Sequence, residues 1–110
     1  MDERRQACPR IKINLKTTFK YAGVTVSADI LNLSSGGIFI KTDYPLPLDA
    51  TFSLRFHLPG DPEPLDTEGQ VVWIKQESKA SPSGMGVQFI KISPWHKKRL
   101  QAFVESFMVD

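Results

Sequence analysis

From residue 11 to residue 21 the chain changes character at every step. Ile11, Ile13, Leu15, Thr17, Phe19 and Tyr21 alternate with Lys12, Asn14, Lys16, Thr18 and Lys20. A period of two buries a single face only on extended backbone, so this stretch reads as a half-buried strand with a charged outer side. Ala22-Gly23 turns the chain into a second strand over about 24–33, where Val24, Val26, Ala28 and Ile30 repeat the alternation. A third strand is expected over about 37–42. The fourth covers about 51–58, where Phe52, Leu54, Phe56 and Leu58 alternate with Thr51, Ser53, Arg55 and His57. Val71, Val72, Trp73 and Ile74 form a continuous apolar run inside a fifth strand (67–75), which predicts burial on both faces. Met85, Val87 and Phe89 mark the sixth.

Between these runs the chain is punctuated by residues that cannot continue a central strand. Pro45 and Pro47 form one loop, and Pro59, Gly60, Asp61, Pro62 and Pro64 form another. After the sixth strand the period changes. Ser93-Pro94 supplies an N-cap and a first-turn proline, and Leu100, Phe103, Val104 and Phe107 follow at i, i+3, i+4 and i+7. The reading is an all-β fold: a six-stranded antiparallel barrel with a C-terminal helix at about 94–108, able to plug or cap one end. Residues 1–10, polar, basic and without period, read as a flexible arginine-containing arm ahead of one barrel domain over 11–110.

Composition narrows the function by exclusion. Net charge is +2 in 110 residues, too small to argue for DNA, RNA or a membrane surface. No apolar run approaches the roughly 20 residues needed to span a bilayer, and the charged N-terminus lacks a signal-peptide core; a cytoplasmic location is expected. Cys8 is the one cysteine, so neither an internal disulfide nor a cysteine zinc site can form. Catalysis is equally poorly supplied. His57 falls on an outward strand position and His96 in a helical first turn among cations, while Asp61, Glu63, Asp66 and Glu68 read as solubilising charge. No nucleophile, base and orienting group can be assembled from these, and no enzyme activity is expected.

Two polar features remain. Asn32-Leu33-Ser34-Ser35-Gly36-Gly37 separates two apolar strands. Asn32 and Ser34 are two apart and project to one face of extended backbone, where an amide and a hydroxyl can reach one ligand. Gly36 and Gly37 offer bare backbone, free to take a positive φ or to admit a neighbouring group. The competing reading is a turn whose side chains bond only their own backbone. The second feature is the arm, with Arg4, Arg5 and Arg10, whose guanidinium groups suit phosphate and purine edges.

Taken together, Arg5…Arg10, Asn32-Leu33-Ser34-Ser35-Gly36-Gly37, Gly69-Gln70-Val71-Val72-Trp73 and Gly84-Met85-Gly86-Val87-Gln88-Phe89 resemble the motifs of the PilZ domain family, in order and over nearly the whole chain. The resemblance implies a six-stranded barrel that acts as a bacterial receptor for cyclic di-GMP in motility, biofilm formation or related regulation. It implies a ligand site of Arg4, Arg5, Arg10, Asn32, Ser34, Gly36, Gly37 and Trp73, with no cofactor and no metal. Asn32 and Ser34 would contact guanine and phosphate, and Trp73 matches a tryptophan that in some members packs near a guanine; the alternative for Trp73 is a core aromatic. The family's arginine pair is spaced Arg-x-x-x-Arg, whereas counting back four from Arg10 reaches Gln6. Two functions therefore stand side by side: a receptor, monomeric or homodimeric, that signals to a downstream protein, and a PilZ adaptor that binds protein alone, as in type IV pilus control.

Overall fold

The computed structural model describes residues 9–76 and 83–107; Arg4 and Arg5 lie outside the described residues. Six strands, β1 (Arg10–Tyr21), β2 (Val24–Ser34), β3 (Gly37–Lys41), β4 (Thr51–His57), β5 (Pro64–Lys75) and β6 (Gly84–Lys91), precede a helix, α1 (Pro94–Ser106). They close into a barrel in the order β1-β2-β3-β6-β5-β4, with every neighbouring pair antiparallel. Closure leaves no sheet edge. Ala22 and Gly23, at φ 52° and 81°, make the two-residue hairpin between β1 and β2, both in the left-handed region such a turn needs.

Alternation translates directly into burial. Ile11, Leu15 and Phe19 of β1 and Phe52, Leu54 and Phe56 of β4 point into one core, shared with Leu100 and Val104 of α1. Thr17 and Thr67 also face inward and are satisfied there, donating to the carbonyls of Arg55 (2.8 Å) and Lys91 (2.5 Å). On α1, Ser93 caps the first turn by accepting from the amide of His96 at 3.1 Å. Leu100 and Val104 are buried, whereas Phe107 stays exposed and packs on Phe103 with ring centroids 5.0 Å apart. Asp61 accepts from Arg99, whose Nη2 also donates to the carbonyl of Glu63 at 2.9 Å, fastening the proline-rich loop to α1. Asp61 and Asp66 are thus ion-paired, to Arg99 and Arg55, rather than merely solvated charge.

Three expectations need correction. Arg10 is not part of an arm; it opens β1 and pairs with Ser34. Pro64 opens β5 opposite His57, where its missing N–H is tolerated because the position is the first of the strand. The apolar run of β5 is not buried on both faces. The register against β6 shifts between Val71 and Trp73; Val72 is the extra residue of a bulge, which turns Val72, Trp73 and Ile74 toward the outer surface, all exposed.

Candidate functional site

A second bulge builds the polar turn. Along β2, Ile30 and Leu33 are both fully buried although they stand three positions apart, an odd step that simple alternation would put on opposite faces. The register against β3 slips between Ile30 and Asn32, so Leu31 is the extra residue. Simple alternation from Val24 through Ile30 would aim Asn32 at the core; the bulge re-aims it outward. Asn32 and Ser34 then share one side, and both line a cavity of about 380 Å³ on the outer wall of the barrel.

Every sequence-selected residue that the structure describes borders this cavity: Arg10, Asn32, Ser34, Gly36, Gly37 and Trp73. They come from β1, β2, the turn after it, β3 and β5, and the barrel closure alone brings them together. Larger depressions, of about 640 and 530 Å³, lie over β1 and β4 and are lined by Lys20, Thr18, Lys16 and their neighbours. They hold none of these residues, and chemistry rather than volume identifies the site.

The Arg10 guanidinium donates from Nη1 to Oδ1 of Asn32. A guanidinium has donors only, so it fixes the carboxamide with its oxygen toward Arg10 and its NH2 group free to point elsewhere. Ser34 is 1% exposed. Its Oγ accepts from the amides of Gly36 and Gly37, each at 3.1 Å, and lies 3.3 Å from the carbonyl of Gly37. The hydroxyl therefore shapes the turn first: it orients two backbone amides at the base of the cavity.

The glycines serve packing rather than unusual torsion, for neither Gly36 nor Gly37 has a positive φ. A Cβ on Gly37 would sit 2.3 Å from the carbonyl oxygen of Val87, because β6 passes directly against it. A Cβ on Gly36 would meet only Ser34 Oγ, at 3.9 Å, leaving that part of the cavity floor open.

Trp73 is not a core aromatic. It is 47% exposed and stacks on Phe39, centroids 5.4 Å apart and planes 25° apart. Phe39 itself faces outward, opposite to Ile38 and Ile40, and is buried because Trp73 covers it. Gly86 makes room for the indole: a Cβ there would fall 1.9 Å from Trp73 Nε1. Gly84 does the same for Phe39, whose ring would be 2.4 Å from an added Cβ. The spacing Gly84-x-Gly86 thus seats an aromatic platform on the outer wall. Phe39, Val72 and Gln88 also line the cavity and were not singled out from sequence; the signal for Phe39 was present in Ile38-Phe39-Ile40, whose middle residue must oppose its neighbours.

The arrangement brings a cation, an amide and an aromatic face around one concavity, groups that suit an anionic ligand carrying a ring, while the Gly36 and Gly37 N–H groups are taken by Ser34 Oγ. Among the described residues, no group of three or more His, Cys, Asp or Glu is placed to hold a metal, and no helix is long and apolar enough to cross a membrane.

Comparison with curated proteins finds no sequence match. Structural likeness is extensive. The inhibitor of motility MotI/DgrA of Bacillus subtilis superposes with a TM-score of 0.82 at 17% identity, over 92% of this chain and 50% of that one. The chain thus spans about half the length of the Bacillus protein. The PilZ domain of YcgR from Escherichia coli, solved with c-di-GMP, gives a TM-score of 0.73 at 17% identity over 94% of this chain and 92% of that one. The PilZ domain of CeSA from a cellulose-synthesizing bacterium gives 0.59 at 17% identity, over 92% and 99%. At such identities the likeness establishes the fold, and the family follows from the sequence model: the PilZ domain model matches residues 3–106, so the chain belongs to the PilZ domain family.

Proposed function

We propose that this domain is a receptor for cyclic di-GMP. The observation that carries the reading is the convergence of Arg10, Asn32, Ser34, Gly36, Gly37 and Trp73 on one cavity from four strands and a turn. In the bound state Arg10 reaches a phosphate or a guanine edge, the NH2 of the Asn32 carboxamide donates to the ligand, and a base stacks on Trp73. Arg4 and Arg5, six and five residues ahead of Arg10, add charge as the N-terminal arm orders over the ligand. Each charge-assisted hydrogen bond is worth roughly 1.5–3 kcal/mol, and micromolar binding needs about 8 kcal/mol, so the arm's ordering entropy makes every arginine count. The domain acts by presenting a changed surface to a downstream protein in motility, biofilm or related regulation. Support comes from family membership and from relatives solved with c-di-GMP, among them the YcgR domain.

A backbone-resolved nuclear magnetic resonance titration with cyclic di-GMP tests the location. Saturable shifts at the Gly36 and Gly37 amides and the Trp73 indole N–H are expected; saturable shifts confined to the β1–β4 face would contradict it.

A second reading has its own observation. Ser34 Oγ is committed to its own turn and Gln6 stands where the family's first arginine belongs, as in an adaptor that binds protein alone. Its mark is a partner captured equally well with and without nucleotide.

A further inference from the structure

Gln88 lies on the outer face of β6: its neighbours Val87 and Phe89 point into the core and are 2% and 8% exposed, while Gln88 is exposed. It borders the same cavity as Arg10 and Asn32. Its cross-strand partner on β3 is Gly37, and the Val87 carbonyl excludes any side chain there. Nothing grows from Gly37 to separate the Gln88 amide from the Asn32 and Ser34 rim. Two residues back on the same face is Gly86, which pairs with Trp73 and carries its indole. Two residues of strand span about 6.6 Å, within the reach of a glutamine side chain. Among the described residues no side-chain hydrogen bond engages Gln88.

Resting on the receptor reading, we propose that Gln88 is a base-reading residue: it hydrogen-bonds the edge of the purine that stacks on Trp73. A carboxamide supplies one acceptor and two N–H donors. Against guanine, the NH2 donates to O6 while the oxygen accepts from N1–H. Trp73 supplies the face, which every base has, and Gln88 supplies the in-plane contact that fixes how the base lies. The two residues act on one base and must be coupled.

The test is calorimetric titration of wild type, Gln88→Ala, Trp73→Ala and the double variant with cyclic di-GMP, each checked by thermal melting. Gln88→Ala is expected to melt with wild type and to bind about three- to tenfold more weakly, the range of one or two net neutral hydrogen bonds. The double variant is expected to bind no more weakly than Trp73→Ala, because a base no longer seated on the indole cannot reach Gln88. Wild-type binding with Gln88→Ala within twofold of it overturns the base-reading role and leaves the receptor reading standing, as do fully multiplicative losses in the double variant. Absence of wild-type binding overturns the receptor reading itself, and the role of Gln88 with it.

Discussion

Arg10 and Asn32, 22 residues apart in the chain, are joined by a hydrogen bond from the guanidinium to the carboxamide oxygen. The contact ties the first residue of β1 to the bulged end of β2 and holds two cavity-lining groups in one orientation. On the proposed receptor function, Arg10 is then both a partner for an anion and a positioning residue for Asn32.

Arg10→Ala should therefore weaken cyclic di-GMP binding by about 10- to 150-fold, the loss of one charge-assisted hydrogen bond. Because the residue is exposed at the start of its strand, the melting temperature should barely move. Wild-type affinity should fall as salt screens the cation, and the variant's should fall less steeply. Equal salt slopes in the two proteins would argue that Arg10 does not meet the ligand's charge.

The two glycines of the turn should separate cleanly. Gly37→Ala drives a methyl group into the Val87 carbonyl and should cost about 1–3 kcal/mol of stability by overpacking, read by chemical denaturation. Gly36→Ala meets nothing closer than 3.9 Å and should fold normally. A loss of nucleotide affinity in Gly36→Ala at unchanged stability would mark where the ligand approaches the backbone.

Trp73 offers a direct optical readout. In a Trp95→Phe background it is the sole tryptophan, and stacking of a guanine on its exposed side should quench its fluorescence. Trp73→Ala should reduce affinity by roughly 1–3 kcal/mol, the value of one base stacked on an aromatic ring. Saturable binding with unchanged emission would place the base elsewhere.

Acid should loosen the proline-rich loop from α1. The Glu63 amide, donating at 3.0 Å, and the Arg99 guanidinium hold the Asp61 carboxyl below its ordinary range. A carboxylate depressed in the folded state contributes stability that is complete above its unfolded pKa, near 4, and is lost as pH falls through the folded value. The gap in melting temperature between wild type and Asp61→Asn should be open at pH 6 and close below about pH 4. A gap that persists at pH 2 would show that Asp61 acts through something other than its charge.

Strand existence was legible because period-two burial is local: Ile11 to Tyr21 and Thr51 to Leu58 declare their inner faces residue by residue. The Ser93-Pro94 helix start was equally local. Bulges were not legible. Leu31 and Val72 are ordinary apolar residues, and only the register demanded by a closed barrel makes each of them the extra one. Those two slips decide that Asn32 faces outward and that Trp73 is a surface platform rather than core. The chemistry of Ser34 was half legible: a ligand contact and a turn bonded to its own backbone could both be read, and the structure has its Oγ accepting from the Gly36 and Gly37 amides. Gln88 carried no pattern of its own and became visible only beside Gly37.

Isothermal titration calorimetry of the purified domain with cyclic di-GMP, with cyclic di-AMP as control, decides whether the cavity is a nucleotide site. A receptor gives saturable binding with a Kd at or below tens of micromolar, specific for the guanine ligand. No saturable heat at high ligand concentration, or equal affinity for both nucleotides, would contradict the receptor reading.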